Sequence, residues 1–443
     1  MSTPLSCQLT DVPLYLHAEL LPNIRQITLY VSLPPGPTLD GVRPEIQLSE
    51  SRKAVTVSLP EPFQHVTETI KLPARVGDAS RRALTAPAKP TGPSCSSDFN
   101  HDYSFRMQID PNEEALVPRD ELIDEYVPWT AADMSSRTRI QCRRCSTAFL
   151  KSSDPLKVPS SDENQSTTAE WIWKDLPSGN WAEMMDFWHC HKPDPHEGQP
   201  KDEANAAHQI EGQTAQIKGY GAASQVVAIP GTVLIDVATF LVAESDCTGL
   251  KKGHEEQFAP TTSGQGNLEC DQCHTVIGME DPSANGWRLL KANVSVNTYP
   301  NDHENGDLQW HNHPIEVIVA AQLLEMIERE SARRFVVHCG QENGLLLWVF
   351  NPDLRYSNTS SGHSVMAQEA MKVFFQETVD VERLLHPEMG KVTPLSVEEL
   401  ELPSVIFKAV SDALKSSNQM LPPSARRFNE WQVGLLSRFR RST

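Results

Sequence analysis

Two short stretches decide the fold prediction: Ile140-Gln-Cys-Arg-Arg-Cys-Ser-Thr-Ala-Phe-Leu150 and Leu268-Glu-Cys-Asp-Gln-Cys-His-Thr-Val-Ile277. Each holds a C-x-x-C pair, Cys142 with Cys145 and Cys270 with Cys273, between apolar residues. This spacing is typical of a zinc knuckle, and four thiolates from two knuckles form a closed, structural zinc site. The pairs are far apart in sequence, so two unrelated pairs of free or redox thiols are the alternative. Cys190 or a neighbouring histidine could also replace one ligand.

The composition is that of a soluble globular chain. It has 443 residues, a net charge of −19, 33 prolines and nine cysteines, with a mean hydropathy of −0.40. Such acidity predicts no direct nucleic-acid binding, and the absence of a long apolar run predicts no membrane span. The first residues lack the features of a secretory signal, and the odd cysteine count with C-x-x-C pairs favours reduced thiols. We therefore expect a cytoplasmic or nuclear protein.

The pattern of apolar residues predicts an α+β fold, predominantly antiparallel β, with several helices and the pair of zinc knuckles. We expect a β-rich N-terminal region at 1–77, a Pro/Ser-rich linker at 78–100 and a larger domain at 101–443 with loop insertions at 151–168 and 192–218. Period-2 segments predict strands within 13–76, at 103–109, 225–235, 238–242, 287–296, 335–338 and 345–350. Helical spacing predicts helices that open at Pro314, that cover 364–386, and that follow a Ser424 N-cap to the C-terminus.

A tryptophan-rich block between the knuckles holds the candidate nucleophile. Asn180 and Glu183 resemble a capping box, and the helix they predict ends near Pro193. Cys190 then lies between two histidines, which lower a thiol pKa when protonated, although the negative end of a helix dipole opposes a thiolate. Trp181 and Trp188 share one face of this helix, which could bind a partner, and plain core packing is the alternative. Cys339 is the second candidate nucleophile, otherwise a small buried residue, and we interpret His303, His311 and His313 as surface histidines.

Several motifs together resemble one family. They are the two cysteine pairs and the blocks Trp173-Lys-Asp-Leu-Pro-Ser-Gly-Asn-Trp-Ala-Glu-Met-Met-Asp-Phe-Trp-His-Cys-His191, Leu347-Trp-Val-Phe-Asn-Pro-Asp-Leu-Arg-Tyr-Ser357 and Pro423-Ser-Ala-Arg-Arg-Phe-Asn-Glu-Trp-Gln-Val-Gly-Leu-Leu436. Because these motifs occur in this order, the chain is similar to the HECT-like ubiquitin-conjugating-enzyme-binding proteins, a group of ubiquitin ligases. The likeness extends from about residue 100 to the end, with the tryptophan block as its most specific part.

The resemblance implies a ubiquitin-protein ligase whose partners are a ubiquitin-conjugating enzyme, ubiquitin and a protein substrate. In the HECT mechanism a ligase cysteine takes ubiquitin as a thioester and passes it to a lysine amine. HECT ligases keep this cysteine near the C-terminus, whereas no cysteine follows Cys339 here. The catalytic cysteine we expect is therefore Cys190. The alternatives are a RING-like adaptor without a covalent intermediate, and a non-catalytic zinc-stabilised interaction or assembly factor, for example in nuclear RNA-processing complexes.

Overall fold

The protein was analysed as a computed structural model, and the structure describes residues 14–33, 43–61, 66–85, 102–113, 126–151, 171–176, 226–253, 266–298, 309–340, 343–359, 367–378, 380–386 and 397–441. In these ranges the strands are β1 (Tyr15–Leu21), β2 (Gln26–Ser32), β3 (Glu45–Leu48), β4 (Ala54–Ser58), β5 (Thr67–Lys71), β6 (Asp102–Gln108), β7 (Ile140–Cys142), β8 (Ile172–Asp175), β9 (Thr232–Ile235), β10 (Thr239–Val242), β11 (Leu250–Lys252), β12 (Asn267–Cys270), β13 (Val276–Asp281), β14 (Gly286–Leu290), β15 (Val294–Thr298), β16 (Gln309–His311), β17 (Arg334–His338), β18 (Gly344–Asn358), β19 (Gln368–Thr378), β20 (Glu398–Glu401), β21 (Arg427–Phe428) and β22 (Trp431–Ser437). The α-helices are α1 (Ser80–Thr85), α2 (Ile315–Glu330), α3 (Val381–Leu385) and α4 (Ser404–Met420).

The chain divides into two compact units. Unit 1 comprises Met1–Glu121 and Arg333–Arg438, and unit 2 comprises Leu122–Ala332 and Phe439–Thr443. This division differs from the predicted segments, because β1 pairs with β18 and β2 with β6, so strands from both sides of the expected linker share one sheet. Described strand pairs are mostly antiparallel, which confirms the predicted α+β class with much antiparallel sheet.

Unit 1 is built on a nine-stranded sheet with the order β21-β22-β19-β18-β1-β2-β6, in which β17 joins β18 and β20 joins β17. Apolar and polar residues alternate along β1, and this pattern explains its place in the sheet, since Leu16, Ala18 and Leu20 are buried on one face. A three-stranded sheet, β3-β4-β5, shares the same core. Part of the predicted linker is also ordered, because residues 80–85 form α1 and Leu84 packs into this core.

Two predicted helices of unit 1 are wrong. The region predicted as a helix at 364–386 contains the strand β19 and the short helix α3. β19 pairs with β18 and β22 on its two edges and buries both faces, so its continuous apolar run is that of a central strand.

The predicted C-terminal helix is instead the hairpin β21–β22, in which Asn429 adopts the left-handed backbone that asparagine tolerates (φ 52°). Ser424 is not an N-cap of an α-helix. It lies in a short 3-10 turn, and its backbone N–H donates to Asp102 at 2.9 Å. The amphipathic helix α4, which the sequence analysis did not predict, packs on β22. A Cβ on Gly434 would lie 2.7 Å from Leu414 Cδ2, so glycine permits this close approach.

Unit 2 holds a seven-stranded sheet, β11-β12-β13-β14-β10-β9-β8, and a three-stranded sheet, β16-β15-β7. Helix α2 begins immediately after Pro314, close to the predicted start. The turn at Pro230-Gly231 precedes β9, so of the strand predicted at 225–235 only Thr232–Ile235 is observed in the described residues. One apolar core includes residues of both sheets, among them Cys142 and Cys270. Within the described residues no helix is long and apolar enough to cross a membrane.

Candidate functional site

The two cysteine pairs form near-identical turns at the ends of β7 and β12. The N–H of Ser146 donates to the carbonyl of Cys142 at 2.9 Å, and the N–H of His274 donates to that of Cys270 at 3.0 Å. Ser146 and His274 both adopt left-handed backbone conformations, with φ of 62° and 57°. Each strand then reverses, because the first cysteine of each pair donates its N–H to the carbonyl of a threonine, Thr147 or Thr275. The sequence C-x-x-C-x-T therefore folds as a knuckle twice.

The knuckles bring all four sulfurs together. Cys142 Sγ lies 3.5 Å from Cys273 Sγ, and Cys145 Sγ lies 3.5 Å from Cys270 Sγ. The four ligand atoms lie within 4.8 Å of one another. A tetrahedral ion with metal–sulfur bonds of about 2.3 Å places its sulfurs about 3.8 Å apart. The cluster therefore fits a four-coordinate metal ion, and the predicted ligand set is brought together as one group.

Within each pair, the first cysteine has a raised thiol pKa and the second a lowered one. Burial raises the pKa of Cys142 to about 12 and also raises the pKa of Cys270. A hydrogen bond with the Thr147 hydroxyl lowers the pKa of Cys145 to about 6. Burial also acts to raise the pKa of Cys273, but contacts with Thr275 outweigh it and lower that pKa. A bound cation would favour the thiolate at all four positions.

Residues remote in sequence hold the two knuckles together. The Asn293 carbonyl accepts the N–H of Arg143 at 3.1 Å, and its side-chain amide donates to the Val276 carbonyl at 2.8 Å. Asn293 thus connects the backbone of the first knuckle, at Arg143, to the backbone that follows the second knuckle, at Val276. Gly249 has a left-handed backbone (φ +64°), and a Cβ there would lie 2.6 Å from the Ala148 carbonyl oxygen. The sequence analysis did not predict the roles of Asn293 and Gly249. The threonine that follows each cysteine pair, Thr147 or Thr275, was visible in the sequence as a sign that the two turns are alike.

Among the described residues, no other candidate joins this cluster. Cys190, its two flanking histidines and the capping box at Asn180 lie outside the described residues. Cys339 follows β17 and is largely exposed. Its thiol is partly shielded from water, which raises its pKa, and the charge of Glu401 raises that pKa further. Cys247 is buried, which raises its pKa to about 12. In the described part of the chain, no cysteine outside the cluster has the lowered pKa of an activated thiol.

The two described histidines near α2, His311 and His313, are not members of the cysteine cluster. His303 lies outside the described residues. His313 is not a simple surface residue, because its ring packs between Trp129 at 4.7 Å and Phe439 at 5.2 Å. Burial lowers the pKa of His313 to about 4, which favours the neutral ring at physiological pH.

The comparisons with known proteins identify the family of the chain. The profile of the family described as HECT-like Ubiquitin-conjugating enzyme (E2)-binding matches residues 19–433. The chain therefore belongs to the HECT-like ubiquitin-conjugating-enzyme-binding family. No solved structure matches the chain.

Three curated relatives show how far the similarity extends. The chain is 25% identical to Uncharacterized protein YJR141W of Saccharomyces cerevisiae over 316 residues, which are 70% of this chain and 72% of the relative. It is 25% identical to Uncharacterized protein C1734.10c of Schizosaccharomyces pombe over 326 residues, 71% of this chain and 78% of that protein. It is 26% identical to a protein of Mus musculus named as an E3 ubiquitin-protein ligase over 285 residues, 59% of this chain and 64% of that protein.

Proposed function

We propose that this protein is a ubiquitin-protein ligase that binds a ubiquitin-charged conjugating enzyme and promotes transfer of ubiquitin to a substrate lysine. The observation that carries the proposal is the family match over nearly all of the chain. The Mus musculus relative, which is named as an E3 ubiquitin-protein ligase, supports the same activity. The need for reduced thiols suits the cytoplasm or the nucleus.

We propose a structural role for the four clustered cysteines, with zinc as the metal they hold. All four are cysteines, the cluster is closed, and two of the sulfurs belong to fully buried residues. Closed four-cysteine zinc sites stabilise folds and keep no open position for substrate. Thiolates committed to a metal ion are not available as nucleophiles, so the cluster is assigned no step in ubiquitin transfer.

The proposed transfer uses Cys190. Its thiolate attacks the carbonyl carbon of the thioester that joins ubiquitin to the conjugating enzyme, and the conjugating enzyme's cysteine leaves as a thiolate. A substrate lysine amine then attacks the new thioester, loses a proton, and expels the Cys190 thiolate as the isopeptide bond forms. The raised pKa of Cys339 argues against that residue as the nucleophile.

The deciding experiment is single-turnover discharge of ubiquitin-charged conjugating enzymes on non-reducing gels. We expect a thiol-sensitive ubiquitin adduct that persists in Cys339→Ser and disappears in Cys190→Ser. Discharge to lysine without any adduct would replace the covalent mechanism by an adaptor mechanism. Absence of discharge with every conjugating enzyme tested would overturn the ligase proposal and favour an assembly factor.

A further inference from the structure

The four clustered cysteines differ in their access to solvent. Cys145 is exposed and Cys273 is partly exposed, whereas Cys142 and Cys270 are buried. An oxidant dissolved in water therefore meets Cys145 before it meets the buried pair. Reactive cysteines in proteins are partly exposed and lie in electropositive surroundings, whereas buried structural cysteines are inert. Exposure thus distinguishes Cys145 from the other three.

The stretch of chain around Cys145 is basic. Residues 137–151 contain five basic residues and no acidic one, in a chain of net charge −19. Arg144, which precedes Cys145, is exposed. Arg143 donates to the backbone carbonyls of Ala292 and His313, at 3.2 and 2.7 Å, and a carbonyl does not neutralise a guanidinium charge. This segment therefore gives Cys145 the positively charged surroundings that are typical of reactive cysteines.

A second sulfur lies within reach of Cys145. The Sγ of Cys145 is 3.5 Å from the Sγ of Cys270, which belongs to the other knuckle. A disulfide bond is about 2.0 Å long, so closing this pair requires a shift of about 1.5 Å. Cys339 is also exposed, but it lies in unit 1, where the described residues include no second cysteine. Among the described cysteines, exposure and a neighbouring sulfur therefore coincide at the cluster.

We propose that Cys145 is a site of reversible oxidation by peroxides, and that its oxidation replaces the metal ion by a disulfide bond between Cys145 and Cys270. This inference rests on the proposed zinc site and adds a second state of that site. In reducing compartments the disulfides that do form are transient, and many of them are redox sensors.

Two steps account for the reaction with hydrogen peroxide. The Cys145 thiolate attacks one oxygen of the peroxide, the O–O bond breaks and hydroxide leaves, so the sulfur becomes a sulfenic acid. The Cys270 thiolate then attacks that sulfur, the S–O bond breaks, and a second hydroxide leaves as the disulfide forms. The two sulfurs lose two electrons, which reduce the peroxide, and both hydroxides take up protons to become water. The cluster then keeps only the thiolates of Cys142 and Cys273, too few for a structural zinc site.

The disulfide bond would hold the two knuckles together without the metal ion. Cys145 and Cys270 are 125 positions apart, and a cross-link between positions so distant restricts the unfolded chain strongly. We therefore expect the fold of unit 2 to survive the oxidation. Reduction of the disulfide then restores all four thiolates, so the change is reversible.

The test treats the full, zinc-loaded chain with hydrogen peroxide and follows zinc release with a chelating dye. We expect zinc loss, and rebinding of zinc after dithiothreitol and zinc are added. Dimedone, which traps sulfenic acids, should label Cys145 before any other cysteine of the cluster. Buried Cys247 should stay reduced and serves as the internal control. The matched control variant is Cys339→Ser, which removes the exposed cysteine of unit 1 and should lose zinc at the same rate as the unchanged chain.

The sequence allows the disulfide to be assigned directly. After free thiols are blocked, trypsin cleaves behind Arg144 and the endoproteinase Asp-N cleaves in front of Asp271, so each of the four cysteines lies in its own peptide. Mass spectrometry without reduction should find the peptide of Cys145 joined to that of Cys270. A disulfide within one knuckle would overturn the proposed pairing.

The outcomes separate this inference from the zinc site on which it rests. If the chain purified under reducing conditions carries no zinc, the proposed zinc site is overturned and the oxidation site with it. If the chain carries zinc and keeps it under peroxide, the oxidation site is overturned while the zinc site stands. Dimedone labelling that begins at another cysteine, or that reaches Cys247 equally fast, also overturns the role of Cys145. An oxidised chain that unfolds at a lower temperature than the reduced, zinc-stripped chain would overturn the survival of the fold.

Discussion

A buried ion pair in unit 1 gives a prediction whose size follows from the structure. Lys372 Nζ lies 2.9 and 2.7 Å from the two carboxylate oxygens of Glu19, and His17 Nε2 lies 3.2 Å from one of them. Burial acts to raise the pKa of Glu19. The charge of Lys372 and the contacts with His17 outweigh burial and lower that pKa from 4.5 to about 2.

The sign and size of the effect follow from that pKa. A carboxyl group with a lowered pKa in the folded state contributes its full stability above the unfolded value of about 4.5, and loses it as the pH falls towards about 2. The shift corresponds to about 3 kcal/mol at neutral pH. Lys372→Met leaves the Glu19 carboxylate buried without its main partner, which costs about 3–5 kcal/mol. Burial then dominates and raises the pKa of Glu19, so mild acidification should stabilise this variant by protonating the carboxylate.

The assay is thermal unfolding of the unchanged chain and of Lys372→Met at pH 7 and pH 5. A domain of 150–250 residues shifts by about 2–4 °C for each kcal/mol, so we expect the variant to unfold about 10 °C lower at neutral pH. The difference should narrow at pH 5. Adding Glu19→Gln to the variant should recover part of the loss, because the uncompensated buried charge is then gone.

A matched control is Lys415→Met, which removes a short but exposed pair with Glu377. Exposed pairs contribute about 0–1 kcal/mol, so this variant should unfold close to the unchanged chain. The reasoning is refuted if Lys372→Met unfolds within about 2 °C of the unchanged chain. It is refuted equally if its unfolding temperature falls in parallel with that of the unchanged chain on acidification.

Three predictions concern unit 2. Cys273→Ser should lower zinc, measured by mass spectrometry of the purified chain, to below about half an equivalent, whereas Cys339→Ser should leave it unchanged. Asn293→Ala leaves the partly buried Val276 carbonyl without the Asn293 donor. This variant should release zinc faster to a chelating dye and lose about 1–3 kcal/mol of stability; unchanged release would contradict the linking role of this residue. Gly278→Ala would place a Cβ 2.0 Å from a carbonyl oxygen of β14, so we expect loss of soluble protein or of zinc, and normal yield with full zinc content would contradict that contact.

The cysteine cluster was predictable because all four of its residues lie in two short sequence motifs. Each C-x-x-C pair specifies its own turn, and four thiolates have few stable arrangements other than a shared ion. The supports of the cluster were not predictable in this way. Asn293 and Gly249 lie outside both motifs, and their roles follow only from the strand pairing that brings them beside the knuckles.

The errors in the fold have a common physical cause. Residues 370–375 of β19 are apolar at nearly every position, because both faces of that strand are buried, and such a run fits a helix as well as a strand. In β22 the pair Trp431 and Leu435 also matches helical spacing, although both lie on one face of a strand. Helix α4 was detectable, since Ile406, Val410 and Leu414 recur every four residues and are buried.

The four clustered cysteines lie on or next to strands of two different sheets of unit 2. Cys142 lies on β7 of the three-stranded sheet, and Cys270 lies on β12 of the seven-stranded sheet. A metal ion held by both strands would therefore join two sheets that have no strand pairing with each other in the described residues. The same strand β7 turns Cys142 into the core. Since the proposed transfer uses Cys190, the cluster is assigned a structural role and no step in that transfer.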